Sequence, residues 1–346
     1  MPASSASSKP EASVDLVKSL VRSVNARLAA LELPAEPAVL YDPVRYVLAG
    51  GGKRLRPVLL LLTSEAFGAS RDDSMPAALA VEVFHNFTLV HDDIMDHAAE
   101  RRGRPTVHER WDANTAILVG DAMMGLSYDL LAQTRTDHLG TMLQVYSRMV
   151  ARLCEGQALD MAFEQTVDVT VEDYLGMIEG KTAALLECAL ELGALVGGAD
   201  VDTRAHLVQA SRDLGRAFQI QDDLLDLTAD APGWGKTIGG DLIEGKKAYL
   251  LLCALEKTTE TEVAGGNATE ADAAFFRAIL AQNGLDPSQV DEARTRMDRL
   301  GVLNGAKALV ERHTEAGRAA LEAALPPSEA TTTLLGLVDR MGRRGT

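Results

Sequence analysis

Residues 89–96 read LVHDDIMD and residues 218–226 read FQIQDDLLD, so each stretch sets the pattern Asp-Asp-X-X-Asp into an apolar run with helical spacing. Residues four apart on an α-helix project from one side, about 6 Å apart along the axis. The first and last aspartates of each pattern therefore share a helix face; they are Asp92 and Asp96, and Asp222 and Asp226. Carboxylates on an apolar face need a cationic partner, and such oxygen ligands suit Mg²⁺. The alternative is a solvated acidic face, which the apolar flanks argue against.

Helical periodicity extends through most of the chain on either side of these two stretches. It predicts helices over the ranges 16–31, 58–67, 76–96, 113–132, 140–163, 171–196, 203–227 and 246–256. Two-residue alternation rich in Val, Ile or Thr is nearly absent, so strands are not expected. Many of the predicted helices are apolar on more than one side, which indicates burial inside a large bundle. The sequence therefore predicts an all-α fold in the form of one large, single-domain helical bundle.

The composition excludes several classes of protein. The 346 residues include 34 Lys and Arg and 50 Asp and Glu, for a formal net charge of −16, so no basic field would attract nucleic acid or an anionic membrane surface. The three widely spaced cysteines form no CxxC pair, which indicates reduced thiols rather than disulfides or a zinc site. Neither a signal peptide nor an uninterrupted apolar run of membrane-spanning length is visible. We therefore predict a soluble, cytoplasmic protein without membrane insertion.

Composition also predicts where the domain begins and where a long loop interrupts its helices. Residues 1–14 are rich in Ser, Ala and Pro and are predicted to be a disordered tail, which leaves residues 15–346 as the functional domain. Residues 228–241 read TADAPGWGKTIGGD. Four glycines and a proline between two helices predict a mobile loop, and such a loop next to a site often acts as a lid.

Two basic clusters precede and follow the first aspartate pattern. Residues 51–57 read GGKRLRP, in which Lys53 and Arg56 have the spacing to reach one anion from a single helix face. Residues 101–105 read RRGRP, and the first two arginines closely follow Asp96. Guanidinium groups match phosphate oxygens in pairs. A carboxylate pair that binds metal, followed directly by arginines, therefore indicates a bound diphosphate.

The order of these motifs is more specific than any one of them. GGKRLRP is followed by DDIMD with RRG, then by Lys181-Thr182, FQIQDDLLD, Gly235-Lys236, and Asp241 with Lys246. In this order, over about residues 41–252, the chain resembles the trans-isoprenyl diphosphate synthase (polyprenyl synthetase) family. The resemblance implies a helical bundle with a deep central cavity, usually assembled as a homodimer. It also implies head-to-tail condensation of isopentenyl diphosphate with an allylic diphosphate (dimethylallyl, geranyl or farnesyl).

The resemblance implies a role for each residue that matches a family motif. Three Mg²⁺ ions would be held by Asp92, Asp96 and Asp222, with support from Asp93, Asp223 and Asp226. The allylic diphosphate would be held by Arg101, Lys181 and Lys236, with Lys246 nearby. Isopentenyl diphosphate would be held by Lys53, Arg56, His85 and Arg102. The developing allylic cation would face Thr182 and Gln219, together with the backbone near Lys181.

Product length is implied by the residues just before the first aspartate pattern, because in the family the growing chain extends past this part of the helix. Phe87 lies five residues before Asp92, Thr88 lies four before it, and Phe84 lies one turn deeper. The aspartate pattern has no insertion. This arrangement resembles the type that makes geranylgeranyl diphosphate, with farnesyl diphosphate as the alternative product.

Three other classes of protein share some of these features. A class I terpene cyclase has the bundle, the first aspartate motif and Mg²⁺, but its second motif normally contains Asn, Ser or Thr, and Glu. A cyclase also needs no second diphosphate, so the DDLLD motif and the basic pair Lys53 and Arg56 favour a synthase. A non-catalytic partner subunit commonly lacks one aspartate motif, and both are intact here. A purely structural helical protein does not account for two paired motifs.

Overall fold

The structure is a computed structural model that describes residues 9–166, 168–229, 237–259, 265–266 and 268–342. Within these residues the secondary structure comprises sixteen α-helices, one π-helical turn, one 3-10 turn and one two-stranded hairpin. The predicted all-α fold is therefore confirmed.

The helices described before residue 166 are α1 (Lys9–Ala29), α2 (Ala38–Leu48), α3 (Leu55–Ala66), α4 (Arg71–Met95), α5 (Val107–Arg110), α6 (Ala113–Ala132) and α7 (Leu139–Gln165). The hairpin strands are β1 (Glu100–Arg101) and β2 (Arg104–Pro105). The later elements are α8 (Val171–Ile178), the π-turn Glu179–Ala183, α9 (Ala184–Val196), α10 (Val201–Thr228), α11 (Gly240–Ile243), α12 (Tyr249–Glu256), α13 (Glu270–Ala281), the 3-10 turn Pro287–Gln289, α14 (Val290–Arg299), α15 (Val302–Ala324) and α16 (Glu329–Gly342).

Every range predicted to be helical overlaps a helix, but two local features differ from the predictions. Helix α1 begins at Lys9, so residues 9–14 of the predicted tail are helical; a proline at Pro10 is compatible with the first turn of a helix because that turn needs no N–H there. The hairpin shows that short strands do occur. Residues 1–8 of the tail and residues 230–236 of the predicted lid lie outside the described residues.

The hairpin between α4 and α5 is produced by its turn. Arg101 of β1 pairs with Arg104 of β2, and the two residues between them, Arg102 and Gly103, have φ angles of 55° and 70°. Tight hairpin turns of this kind need positive φ at both central residues. Strands only two residues long give no alternation that a sequence pattern could reveal. The turn therefore fixes Arg101 in a strand and Arg102 at the tip beside it.

Local hydrogen bonds mark where the helices around the motifs begin and end. Ser70 caps α4 by accepting a hydrogen bond on Oγ from the backbone N–H of Asp73 at 3.2 Å. Helix α8 begins with a capping box between Thr170 and Asp173. Helix α4 ends at Met95 and Asp96 is its C-terminal cap, so the first aspartate motif occupies the last turn of α4.

One compact unit comprises, among the described residues, 9–148, 185–208 and 322–336. Its core includes the apolar run 58–62 of α3, in which every side chain is at most 1% exposed. Helix α9 approaches α3 so closely that a Cβ added at Gly193 would lie 2.5 Å from the carbonyl oxygen of Leu60. Helix α6 approaches α4 at Gly120, where an added Cβ would overlap the ring of His91. Close packing on several sides fixes α4 and the motif at its end.

The other compact unit comprises, among the described residues, 149–184, 209–321 and 337–342. Its core is an apolar cluster from α8, α10, α12, α13, α14 and α15. Ile220, Leu224 and Leu227 of α10 belong to it, with exposures of 3% or less. Their spacing places them on one face of the helix. The second aspartate motif is therefore part of a helix that is anchored by its apolar face.

Among the described residues one helix, α6, is long and apolar enough to cross a membrane by length and composition alone. In the window concerned, 44% is buried inside the protein. Core helices of proteins that do not enter membranes meet the same two criteria, so this property of α6 does not distinguish the two cases.

Candidate active site

The three aspartates of the first motif differ in exposure. Asp92 is half-buried, Asp93 is only 4% exposed, and Asp96 is exposed at the end of α4. Asp92 and Asp96 are one helical turn apart, and the backbone N–H of Asp96 donates to the carbonyl oxygen of Asp92 at 2.8 Å. The two aspartates predicted to hold metal are thus the accessible ones, while the middle aspartate is enclosed by protein.

Asp93 binds the hairpin. Nε of Arg101 donates to Oδ1 of Asp93 at 2.6 Å, and the Asp93 side chain is 6% exposed. Burial raises the pKa of Asp93, and the positive charge of Arg101 opposes that rise. Arg101, which the sequence predicts to hold the allylic diphosphate, is therefore oriented by the motif itself, and 36% of its side chain remains exposed.

In the unit that contains residues 9–148, the hairpin borders an open cleft. Its lining includes Asn86, Asp93, Arg101 and Arg102. At one side the guanidinium carbon of Arg104 lies 3.8 Å from the centre of the Tyr46 ring, which is a cation–π contact. The Tyr46 hydroxyl donates to the carbonyl oxygen of Pro105 at 2.8 Å. These contacts attach the hairpin to α2 and fix the direction of its arginines.

Residues predicted to hold isopentenyl diphosphate also meet in this unit. Nη1 of Arg56 lies 3.3 Å from Nε2 of His85, and Nη1 of Arg102 donates to the carbonyl oxygen of Gly51. Burial lowers the pKa of Arg56, and burial together with Arg56 and Arg102 lowers the pKa of His85 well below its ordinary value. His85 is therefore neutral beside guanidinium groups. Lys53 is exposed in the preceding loop.

A buried ion pair supports this basic cluster and was not predicted. Nη1 of Arg54 donates to Oε1 of Glu82 at 2.5 Å, with side-chain exposures of 2% and 3%. Nε of Arg54 also donates to Oδ1 of Asn25 at 2.8 Å. The sequence did contain a sign of this ion pair, because Glu82 is a charged residue within the apolar run 77–84 and a buried charge needs a partner. Spacing alone did not identify Arg54 as that partner.

In the second motif Asp222 is half-buried, and Asp223 is enclosed and connects three elements. Its Oδ2 accepts hydrogen bonds from the Tyr174 hydroxyl at 2.6 Å and the backbone N–H of Tyr249 at 3.1 Å. Its Oδ1 accepts from Nε2 of Gln219 at 2.9 Å. Burial raises the pKa of Asp223 to about 6, although these three hydrogen bonds oppose the rise. Asp223 therefore orients Gln219 and ties α8 and α12 to α10.

The last aspartate of the second motif binds the chain that follows it. Oδ2 of Asp226 accepts a hydrogen bond from the backbone N–H of Asp241 at 3.1 Å. Lys246, predicted to lie near the allylic diphosphate, has its Nζ 2.8 Å from Oε2 of Glu244. Lys236, predicted to hold that diphosphate, lies outside the described residues.

Lys181 and Thr182 lie on the π-turn Glu179–Ala183. Nζ of Lys181 is 2.5 Å from Oδ2 of Asp160, a residue to which the sequence assigned no role. The Thr182 hydroxyl donates to Oε1 of Gln219 at 3.3 Å. The structure thus brings together the two side chains expected to face the allylic cation.

The donor set is compatible with Mg²⁺ that is partly bound by substrate. Within the part of the chain that the structure describes, no group of three or more His, Cys, Asp or Glu side chains is arranged to hold a metal ion. Mg²⁺ in phosphate-binding sites typically uses one or two carboxylates and takes its other ligands from water and phosphate oxygens. Asp92 and Asp222 are half-buried carboxylates of this kind.

An all-α fold with two aspartate-rich helices, each with basic side chains in its own unit, agrees with the prenyltransferase class that the resemblance implies. The family model described as polyprenyl synthetase matches residues 37–283. The chain therefore belongs to the polyprenyl synthetase family.

Relatives and solved structures agree with this assignment. The geranylgeranyl diphosphate synthase of Methanosarcina mazei is 39% identical over 297 residues, which cover 83% of this chain and 92% of the relative. A (2E,6E)-farnesyl diphosphate synthase of Mycobacterium bovis is 40% identical, with 70% of this chain and 64% of the relative covered. The crystal structure of a geranylgeranyl pyrophosphate synthetase from Pyrococcus horikoshii is similar with a TM-score of 0.86 and 34% identity, covering 97% of this chain and 99% of that one. The match over nearly the whole chain agrees with the predicted single domain.

Proposed function

We propose that the protein condenses isopentenyl diphosphate head-to-tail with allylic diphosphates and releases geranylgeranyl diphosphate. One observation carries the proposal: a basic cluster of Arg56, His85 and Arg102 accompanies an intact first aspartate motif in one unit. Guanidinium groups that lie beside an uncharged imidazole, and not beside a carboxylate, keep positive charge that can bind an anion such as a diphosphate. A synthase binds two diphosphates, whereas a class I terpene cyclase binds one, so the cluster favours a synthase.

The metal ligands in this proposal are Asp92, Asp96 and Asp222, which would hold three Mg²⁺ ions. The middle aspartates are not assigned as ligands, because Asp93 and Asp223 are enclosed and bound by protein donors. Bound Mg²⁺ would supply the positive charge that stabilises the leaving diphosphate as the allylic C–O bond breaks.

The side chains of the protein hold the two substrates in position. Arg101, Lys181, Lys236 and Lys246 would bind the allylic diphosphate, and Lys53, Arg56, His85 and Arg102 would bind isopentenyl diphosphate. Fixed positions raise the rate because the reacting carbon atoms are already oriented. The oxygens of Thr182 and Gln219 present partial negative charge to the allylic cation. The isopentenyl double bond then attacks the cation, and the departing diphosphate takes the proton that is lost.

The product assignment depends on aromatic side chains of α4. Phe87 is half-buried, and its ring centre lies 5.1 Å from that of Phe84. Phe84 is fully buried and packs against Tyr146 at 5.6 Å. An aromatic ring at Phe87, with Thr88 beside it, would limit the growing chain at the geranylgeranyl length. Farnesyl diphosphate is the alternative product, and the relatives named above include both kinds of synthase.

The test is a product assay with purified protein, dimethylallyl diphosphate and isopentenyl diphosphate, with and without Mg²⁺. We expect a twenty-carbon prenyl diphosphate by mass spectrometry, and only in the presence of metal. Asp92→Ala and Asp222→Ala, shown by circular dichroism to be folded, should lose elongation. Parent-like elongation by both variants would exclude the metal assignment, and products of thirty or more carbons would exclude the product assignment.

We also propose that the protein acts as a homodimer in the cytoplasm. Family resemblance supports the dimer, and the net charge of −16 is compatible with a protein that avoids anionic membrane surfaces. Light scattering after size exclusion should give twice the chain mass of 37.0 kDa. A mass equal to one chain at assay concentration would exclude the dimer.

A further inference from the structure

A π-helical turn, Glu179–Ala183, interrupts an otherwise continuous helical segment at Lys181 and Thr182. In a π-turn the hydrogen bonds run from residue i to residue i+5, which is rare and occurs mostly as single turns at functional sites. The local sequence, EGKTA, contains no proline that would force a break. Contacts with neighbouring helices of the same unit must therefore hold the turn in this shape.

Glycines bring the neighbouring helices into direct backbone contact with the turn. A Cβ added at Gly156 of α7 would overlap the backbone nitrogen of Lys181. A Cβ added at Gly180 would lie 2.7 Å from the carbonyl oxygen of Arg152. On α10, a Cβ added at Gly215 would overlap the side chain of Ala183. The turn is thus held between α7 and α10 with no room for movement toward either helix.

Two side-chain contacts join the turn to α10, and the residues that make them are separated by the same number of positions in both segments. Nη2 of Arg216 lies 2.5 Å from Oε1 of Glu179, and the Thr182 hydroxyl lies 3.3 Å from Oε1 of Gln219. Thr182 follows Glu179 by three residues, and Gln219 follows Arg216 by three. Glu179 and Thr182 therefore lie near one face of their segment, and Arg216 and Gln219 lie near one face of α10.

The ion pair is partly shielded from water, with side-chain exposures of 33% for Arg216 and 25% for Glu179. Nη2 of Arg152 also donates to the carbonyl oxygen of Glu179 at 3.5 Å. Charge-assisted hydrogen bonds with planar guanidinium groups fix orientation as well as distance. The first residue of the π-turn is therefore attached by its side chain to α10 and by its backbone to α7.

We propose that Glu179 and Arg216 are positioning residues that fix the register of the π-turn against α10 and thereby place Lys181 and Thr182 for the reaction. The inference rests on the proposed function, in which these two residues meet the allylic substrate. Neither Glu179 nor Arg216 touches substrate in this scheme. Loss of the ion pair lets the turn slide lengthwise against α10, which separates Thr182 from Gln219 and moves Lys181.

The experiment measures steady-state kinetics of Glu179→Gln, Arg216→Gln and the double variant, with both diphosphates varied. Because a misplacement of about 1 Å can cost about 100-fold in rate, each single variant should lower kcat by about 10-fold or more. The KM for isopentenyl diphosphate should stay within about 2-fold, since Lys53, Arg56 and His85 are not altered. The double variant should fall no further than either single variant, because both remove the same contact.

Arg318→Gln is the matched control. Arg318 pairs with Asp339 at 3.3 Å in the same unit, with exposures of 40% and 39%, so this change removes an ion pair of comparable exposure and should leave kcat unchanged. If a Gln variant does not fold, Glu179→Asp replaces it; this change keeps the charge and shortens the side chain, and kcat should still fall.

The outcomes separate this inference from the proposed function. Folded variants with the kcat of the parent would overturn the positioning role while the synthase activity stands. So would a double variant in which the fold-loss of kcat equals the product of the two single losses. A parent protein without prenyl transfer would overturn the proposed function and this inference with it. A fall in kcat equal to that of Arg318→Gln would also overturn the positioning role.

Discussion

Arg101 donates a hydrogen bond from Nε to Oδ1 of Asp93 at 2.6 Å, which joins the hairpin to the aspartate motif at the end of α4. The three aspartates of the motif therefore have different tasks. Asp93 orients a guanidinium group, whereas Asp92 and Asp96 remain accessible. In the second motif the middle aspartate, Asp223, is likewise enclosed, by Tyr174, Gln219 and the backbone of Tyr249.

Asp93→Asn should weaken binding of the allylic diphosphate without changing the requirement for metal. The amide still accepts a hydrogen bond from Arg101 but lacks charge, so the loss of charge assistance should raise the KM for the allylic substrate by roughly 10-fold. The measurement is KM together with the Mg²⁺ concentration for half-maximal rate. Asp92→Asn is the comparison and should shift the Mg²⁺ dependence. A large Mg²⁺ shift in Asp93→Asn would mean that Asp93 itself binds metal.

Phe87→Ala should lengthen the product. The Phe87 ring packs against Phe84 and, at 4.8 Å between ring centres, against His91. Removal of the ring opens space beside α4, so chains longer than that of the parent should appear in the product mass spectrum. Phe276→Ala, in the core of the other unit, is the control for general loosening and should not change product length. An unchanged product distribution in Phe87→Ala would reject Phe87 as the residue that limits the chain.

Glu82→Gln should destabilise the protein strongly. The Arg54–Glu82 pair is almost fully buried, and removal of one partner from a buried pair leaves an uncompensated charge that costs about 3 kcal/mol or more. Denaturant unfolding measures this loss. Glu65→Gln is the control, because its partner Arg71 is 34% exposed and a pair near the surface contributes about 1 kcal/mol or less. Equal losses for both variants would contradict the role of Arg54 as a buried anchor.

Asp272 should make the free energy of unfolding depend on pH. Its side chain is fully buried, with Nη1 of Arg296 at 2.7 Å and Nη2 of Arg299 at 2.5 Å. Burial alone would raise the pKa of Asp272, but hydrogen bonds from Arg299, Thr269 and Arg296 outweigh it and hold the pKa below the ordinary value of 3.8.

Because the folded pKa lies below the unfolded one, the stabilisation by Asp272 is present above about pH 4 and is lost as pH falls below that value. Asp272→Asn should lower the unfolding free energy at pH 7 by about 3 kcal/mol and show a smaller decline between pH 7 and about pH 3 than the parent. Asp291→Asn, which removes an exposed partner of Arg294, is the control. Parallel pH profiles for Asp272→Asn and the parent would contradict this assignment.

Much of the fold was predictable because helices depend on local patterns. The 3.6-residue periodicity located the long helices. The order of the short motifs identified the family of the chain; these motifs contain Lys53, Arg56, Asp92, Lys181 and Asp222. Two local features escaped prediction for physical reasons. A hairpin with two-residue strands has no alternation to detect, and its turn depends on positive φ at Arg102 and Gly103. The first turn of α1 lies in a segment whose composition resembles a tail.

The sequence by itself determined the helical class and the family and predicted which residues bear the chemistry, because all three depend on residue type and on spacing along the chain. Only the tertiary structure decided which aspartate of each motif is enclosed, which guanidinium pairs with Glu82, and where the helix at Lys181 departs from α geometry. Those features depend on partners such as Tyr174, which is 49 residues from Asp223, and on backbone contact at Gly156. Burial and hydrogen bonding between residues far apart in the chain are set by packing, and no spacing within one helix specifies them.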